Sequence, residues 1–150
     1  VQTLIDEAPS DAAAQEGIQV VAVILGEVAQ TFKHLQYYVL QSFQQQWQIT
    51  TLQYRDQNVQ KTVLYAYGHL ADATRMGRSE DLIAVPVPIV QLLFHFFSFN
   101  EVESLLVVDE INNPEKIQEL KQEDLQTIVE NALQQHVGTN DSLESEIYLA

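Results

Sequence analysis

The sequence contains no cysteine, which removes disulfides, thiolate nucleophiles and sulfur-bound zinc from the chemistry open to it. Basic residues are scarce as well: seven Lys and Arg stand against 21 Asp and Glu, for a formal net charge of −14. Binding to nucleic acid or to an anionic membrane draws on basic surface that displaces counterions, so neither ligand is expected. Only five glycines occur, none of them clustered, and no phosphate-cradling loop can be built from them. No apolar run reaches the roughly 18 uncharged residues of a membrane span. The opening residues, VQTLIDEAPSD, lack the basic, apolar and small-residue order of a signal peptide. A soluble, cytoplasmic protein is expected, with a removed leader left open by a chain that begins at Val1.

What is present is the composition of a globular domain: 46% hydrophobic and 19% charged residues in 150, enough to bury a core. The charge is uneven. Residues 101–150 carry 12 acids against Lys116 and Lys121, whereas residues 47–100 carry four acids against Arg55, Lys61, Arg75 and Arg78. The reading is one α+β domain over residues 1–138, followed by an acidic flexible tail over 139–150 whose TNDSLESE combines turn formers with like charge.

Periodicity supplies the elements. Val21, Leu25, Val28, Phe32, Leu35, Val39 and Phe43 recur at spacings of four and three, which predicts a long amphipathic helix over residues 11–46 that ends near Trp47. WQITTLQYRD and QKTVLYAYGHL are rich in Thr, Val and Tyr and predict a hairpin, with a helix over residues 59–76 as the competing reading. Pro86 and Pro88 allow a strand in LIAVPVP and then open a buried helix, IVQLLFHFFSF. SLLVVD reads as a strand, with a short helix as the alternative, and NNPEKIQEL as a helix capped by Asn113. A helix through Leu125, Ile128, Val129, Ala132 and Leu133 follows, with Gly138 as its stop. The expected architecture is therefore a small, mostly antiparallel sheet of three to four strands with helices packed on it. A helix this long and apolar offers more surface than such a sheet covers, so a homodimer is expected.

Catalytic signatures are missing. His34, His69, His95 and His136 form no metal-binding pair on one helix face, and His95, within LFHFF, reads as a core histidine. DEINNPE gathers acids and amides around Asp109 and Glu110 but lacks the alternating ligands and central glycine of an EF-hand. Asp109, at the end of an apolar strand, is the one carboxylate placed where α/β folds hold magnesium or phosphoryl groups. No G-x-S-x-G elbow is present. No catalytic residue, metal or cofactor is expected.

The order of elements resembles the core of restriction-endonuclease-like nucleases, which place an acid on the second strand and an E-x-K pair on the third. The third strand by this reading, DLIAVPV, has neither glutamate nor lysine, so the resemblance implies a nuclease-like fold without catalytic residues. Composition and element order are also similar to secretion-chaperone-like folds, which dimerise and hold client segments. The functional expectation is a non-catalytic interaction, assembly or chaperone-like protein with an acidic surface and a protein partner, a basic one fitting best.

One stretch stands apart. GHLADATRMGRSED, residues 68–81, sets Arg75 and Arg78 three apart beside Gly77. One reading is an exposed connection in which the arginines pair with Asp72, Glu80 and Asp81. The other has Gly77 fold the loop back, so that both guanidinium groups clasp a carboxylate, a phosphate or a partner's acidic segment, which would suit a small-anion sensor or enzyme.

Overall fold

The computed structural model describes residues 8–54, 58–78 and 80–149, with side chains from 15 to 135 within those ranges. Its first element, α1 (Ala8–Ala29), turns Val21, Leu25, Val28 and Ala29 towards the core, the spacing of an apolar helix face. The helix stops where Thr31 competes with the backbone. Its hydroxyl donates to the Val28 carbonyl at 2.7 Å, and the last amides close shorter three-residue bonds.

The expected helix over 11–46 is corrected here, because the chain turns into β1 (Gln36–Gln41) instead. Tyr37 and Val39 face one core while Tyr38 and Leu40 face another. A strand buried on both faces reads as a continuous apolar run, and such a run satisfies a helical period as readily as a strand period. Tyr37–Leu40, part of the apolar stretch that led to the homodimer expectation, thus lies inside the sheet rather than on a helix, and the premise of one long apolar helix falls away.

β2 (Thr50–Tyr54) and β3 (Val59–Tyr67) form the expected antiparallel hairpin. After them come α2 (Leu70–Arg78), β4 (Ile83–Pro88), α3 (Ile89–Ser98), β5 (Ser104–Val108), a 3-10 turn (Pro114–Lys116), β6 (Ile117–Lys121) and α4 (Gln122–Leu149). NNPEKIQEL, expected as a helix, yields only the 3-10 turn, capped by Asn113 Oδ1 accepting from the Glu115 N–H at 3.2 Å, and then a strand. Gln, Glu, Leu and Lys favour helix in isolation. The open edge of β5 overrides them, since Ile117–Lys121 pairs residue for residue with Val108–Ser104. α4 passes through Gly138, where a stop was expected. The acidic tail proposed for residues 139–150 falls outside the residues whose side chains are described.

The six strands form one sheet in the order β4-β1-β3-β5-β6, with β2 paired to β3 beside that path. β1 touches β3 only at Tyr38 and Tyr67, while β2 takes residues 59–63 of the same strand. β3 and β5 run parallel and the other pairs antiparallel. The fold is α+β with helices packed on a sheet, and that sheet is mostly antiparallel as expected, but it has six strands rather than three to four and is mixed through the parallel β3–β5 pair.

One sheet face carries the main core. α1, α3 and α4 cover it, and Leu25, Leu92, Leu93, Phe96 and Leu125 are fully buried against Tyr37, Leu64 and Leu105. Each such side chain contributes about 1.5–3 kcal/mol by its burial. Gln122, at the start of α4, ties the layer together: its Nε2 donates to the carbonyls of Phe96 at 2.7 Å, Phe99 at 3.0 Å and Val102 at 3.3 Å. These carbonyls lie at and beyond the end of α3, where helical partners run out. On the other face α2 is the one packed helix among the described residues, over a smaller core of Leu40, Tyr67, Ala73 and Val108. No helix among the described residues is long and apolar enough to cross a membrane.

Candidate functional site

Arg75, Gly77 and Arg78 lie on α2, not in a loop. Ala73 and Gly77 form the buried side of this helix, and the glycine is needed for closeness rather than for a fold-back. A Cβ at Gly77 would sit 2.8 Å from the Leu82 carbonyl oxygen and 3.0 Å from Leu40 Cδ2, tighter than carbon tolerates. The Gly77 carbonyl also accepts the amides of Glu80 and Leu82 at 3.2 and 3.0 Å, which closes the helix end. Arg75 reaches back one turn to Asp72 at 3.4 Å with its side chain 60% exposed. It lines a shallow cleft of about 330 Å³ together with Asp72 and the Glu110–Asn113 loop. Arg78 ends the helix and makes no salt bridge among the described residues.

A second polar cluster sits at the C-terminal ends of the parallel strands β3 and β5, the place where open sheets gather functional groups. Asp109 follows β5 and is buried. The Tyr37 hydroxyl donates to its Oδ1 at 3.1 Å and accepts the His34 N–H at 3.2 Å. Burial, with the Asp109 charge assisting, pushes the Tyr37 phenol up to about 12, so it stays a proton donor at neutral pH. His34 Nε2 lies 3.9 Å from Asp109 Oδ1, beyond hydrogen-bond reach, and is buried without a partner. The His69 ring stands edge-on to His34 at 5.8 Å. Gly68 makes the crowding possible, since a Cβ there would lie 3.0 Å from the His34 ring and 3.4 Å from Asp109 Cα. Among the described residues no group of three or more His, Cys, Asp or Glu could hold a metal ion. The sequence flagged Asp109 through its place after an apolar strand; nothing in it linked His34 and Tyr37 to that carboxylate, because the link spans 72 residues.

The second sheet face, beyond α2, holds two further features. Lys61 forms a salt bridge with Glu119, whose Oε2 also accepts the Ser104 hydroxyl at 2.6 Å. The Lys61 ammonium, and then the Ser104 hydroxyl, hold the Glu119 carboxyl below the usual carboxylate range, while Glu119 raises Lys61. Next to α2 the sheet forms a cleft of about 300 Å³ lined by Leu40, Tyr65, Tyr67, Met76 and Glu80 among others. Tyr65 and Tyr67 stack there with ring centroids 6.1 Å apart at 16°. Burial raises both phenols, Tyr67 to about 12.

His95, expected in the core, is exposed on α3 and packs its ring on Trp47 at 4.5 Å. The apolar stretch around it supplies both faces of the helix, and position 95 falls on the outer one. In the structure the second and third strands are β2, TTLQY, and β3, VQKTVLYAY. Neither carries an acid, and Lys61 is preceded by Val59 rather than by the glutamate of an E-x-K pair. Comparison with known proteins finds no match to this chain among family models, curated proteins or solved structures.

Proposed function

We propose that this chain is a non-catalytic protein-interaction or assembly module whose docking surface is the half of the second sheet face that α2 leaves uncovered. The unequal cover of the two faces carries this reading. Three helices seal one face, whereas α2, nine residues long, spans only one end of the other. Strand alternation places Leu52, Tyr54, Val59 and Leu106 on this side beyond α2, with Tyr65 and Ile117 in the cleft at its border. Tyr54 and Val59 are each 48% exposed. Exposed tyrosines on an apolar face are what interface centres are enriched in, and the Lys61–Glu119 pair would sit towards a polar rim. The acidic surface suits a basic protein partner, and a chaperone-like hold on client segments or a homodimer uses the same face.

Capture of a binding partner by the wild-type chain and by Leu52→Asp/Val59→Asp tests the reading. The partner should be retained by the first and lost by the second, with the melting temperature of the two proteins matched. Retention by both removes the face from consideration. Sedimentation showing only a 17.0 kDa species removes the homodimer and leaves a different chain as partner.

A second reading, a small-anion sensor or enzyme at Arg75 and Arg78, is favoured by one observation: Arg75 shares its cleft with Asn112 and Asn113, whose side-chain amides are donors. Asp72 and Glu110 line the same cleft and oppose an anion. Under this reading, Arg75→Ala/Arg78→Ala weakens inorganic phosphate binding about tenfold or more, while Lys116→Ala/Lys121→Ala leaves it unchanged. Equal, small effects of the two pairs leave the arginines with local charge balance alone.

A further inference from the structure

We propose that the cleft between α2 and the sheet receives one basic side chain of the partner, a lysine or arginine flanked by apolar residues. This deepens the interaction reading and rests on it, adding a position on the face and the chemistry that the partner brings.

Size is the first reason. At about 300 Å³ the cleft lies at the small end of ligand sites, room for one long side chain rather than for a cofactor. Charge is the second. Glu80 is the single carboxylate in its lining, no basic side chain lines it, and the whole chain carries −14. An anion is repelled and a cation drawn in. The Glu80 carboxylate already accepts the Gln48 amide, which fixes its position and leaves acceptor capacity for a second donor. The third reason is the wall. Tyr65 and Tyr67 stand nearly parallel on β3, and aromatic rings attract an ammonium or guanidinium through their quadrupole. Leu40 and Val108, at the base, and Met76, from α2, supply apolar contact for the methylene stem and its flanks. Because burial keeps the phenols protonated, neither tyrosine adds a charge of its own near neutral pH.

The test is an NMR titration of the isotope-labelled full chain with the capped peptide Ac-Leu-Arg-Leu-NH2 and its glutamine and glutamate counterparts. The arginine peptide should move the amide signals of Tyr65, Tyr67, Val108 and Ile111 with an affinity of about millimolar. The glutamine peptide should bind several-fold more weakly and the glutamate peptide not at all. Glu80→Gln should weaken arginine-peptide binding about three- to fivefold without shifting the melting temperature. Met76→Trp, which fills the mouth of the cleft, should abolish the signal changes. Equal binding of the three peptides, shifts confined to other surfaces, no binding at all, or full binding by either variant each overturns the proposal. Should the peptides fail while Leu52→Asp/Val59→Asp still loses the partner, the interaction face stands and only this pocket is removed.

Discussion

The same strands present two faces, and those faces have had different fates. On one, Tyr37, Val39, Leu64, Ala66, Leu105 and Val107 meet α1, α3 and α4 and are almost fully buried. On the other, Tyr38, Leu40, Tyr65, Tyr67 and Val108 meet α2 alone among the described residues. The strands are not the cause, for both faces are apolar near the sheet centre. The cause is the cover. α2 closes after nine residues because the Gly77 carbonyl takes the Glu80 and Leu82 amides and the chain reverses through Asp81 at φ 54. A helix that stops there cannot reach β2 or β6, and Lys61 and Glu119 occupy the surface it leaves.

Removing bulk from each face separates the two most directly. Phe96→Ala, on the sealed side, should cost about 3–5 kcal/mol of unfolding free energy in denaturant titration, and Val59→Ala, on the open side, less than about 1 kcal/mol. Similar losses would mean that the open face is packed against something in solution.

Gln122→Leu comes next. It keeps the volume but removes the donor to three carbonyls, and a loss of about 2 kcal/mol is expected in the same titration. Gly77→Ala follows at about 1–2 kcal/mol, since the new Cβ meets the Leu82 backbone 2.8 Å away and the helix end must shift. If Gly77→Ala stabilises the protein by helix propensity instead, the contact at the end of α2 is looser than described.

Smaller still is the Lys61–Glu119 pair, worth no more than about 1 kcal/mol at the surface. Glu119 titrates below its ordinary range in the folded protein, so its contribution is present above that range and fades as pH falls through the lowered value. Lys61 titrates above its ordinary 10.5, so its contribution is present below that pH and fades as pH rises through the raised value. Between those limits Lys61→Met should lower the melting temperature slightly, and at acid pH wild type and variant should converge. A constant difference across the range would show that the lysine stem, not its charge, is what the pair supplies. The smallest effect is expected from truncation after Gly138, which should leave the melting temperature unchanged if residues 139–150 form an acidic tail outside the core. A fall of several degrees would place them in it.

Legibility follows the physics of each segment. The β2–β3 hairpin, β4 with its two prolines, α3 opening after Pro88 and the β5 strand each carry a local signal, and each forms where its residues suggest. β1 and β6 do not. Tyr37–Leu40 is apolar on every side because the strand is central, and Ile117–Lys121 is built of helix formers recruited by a neighbouring edge. The site divides in the same way. Arg75, Gly77, Arg78 and Asp109 can be picked out of the sequence, whereas the partnership of Asp109 with Tyr37 and His34 cannot.

What the sequence alone determined is the class of object: an acidic, cysteine-free α+β domain, because composition, proline placement and local propensity are properties of short stretches. Tertiary structure decided which apolar runs became strands, that Arg75 and Arg78 ride on a helix, and that one sheet face was left partly bare. Those outcomes depend on contacts between residues far apart in the chain, such as the parallel pairing of Val63 with Ser104, 41 residues on, and no local pattern encodes a contact with so distant a partner.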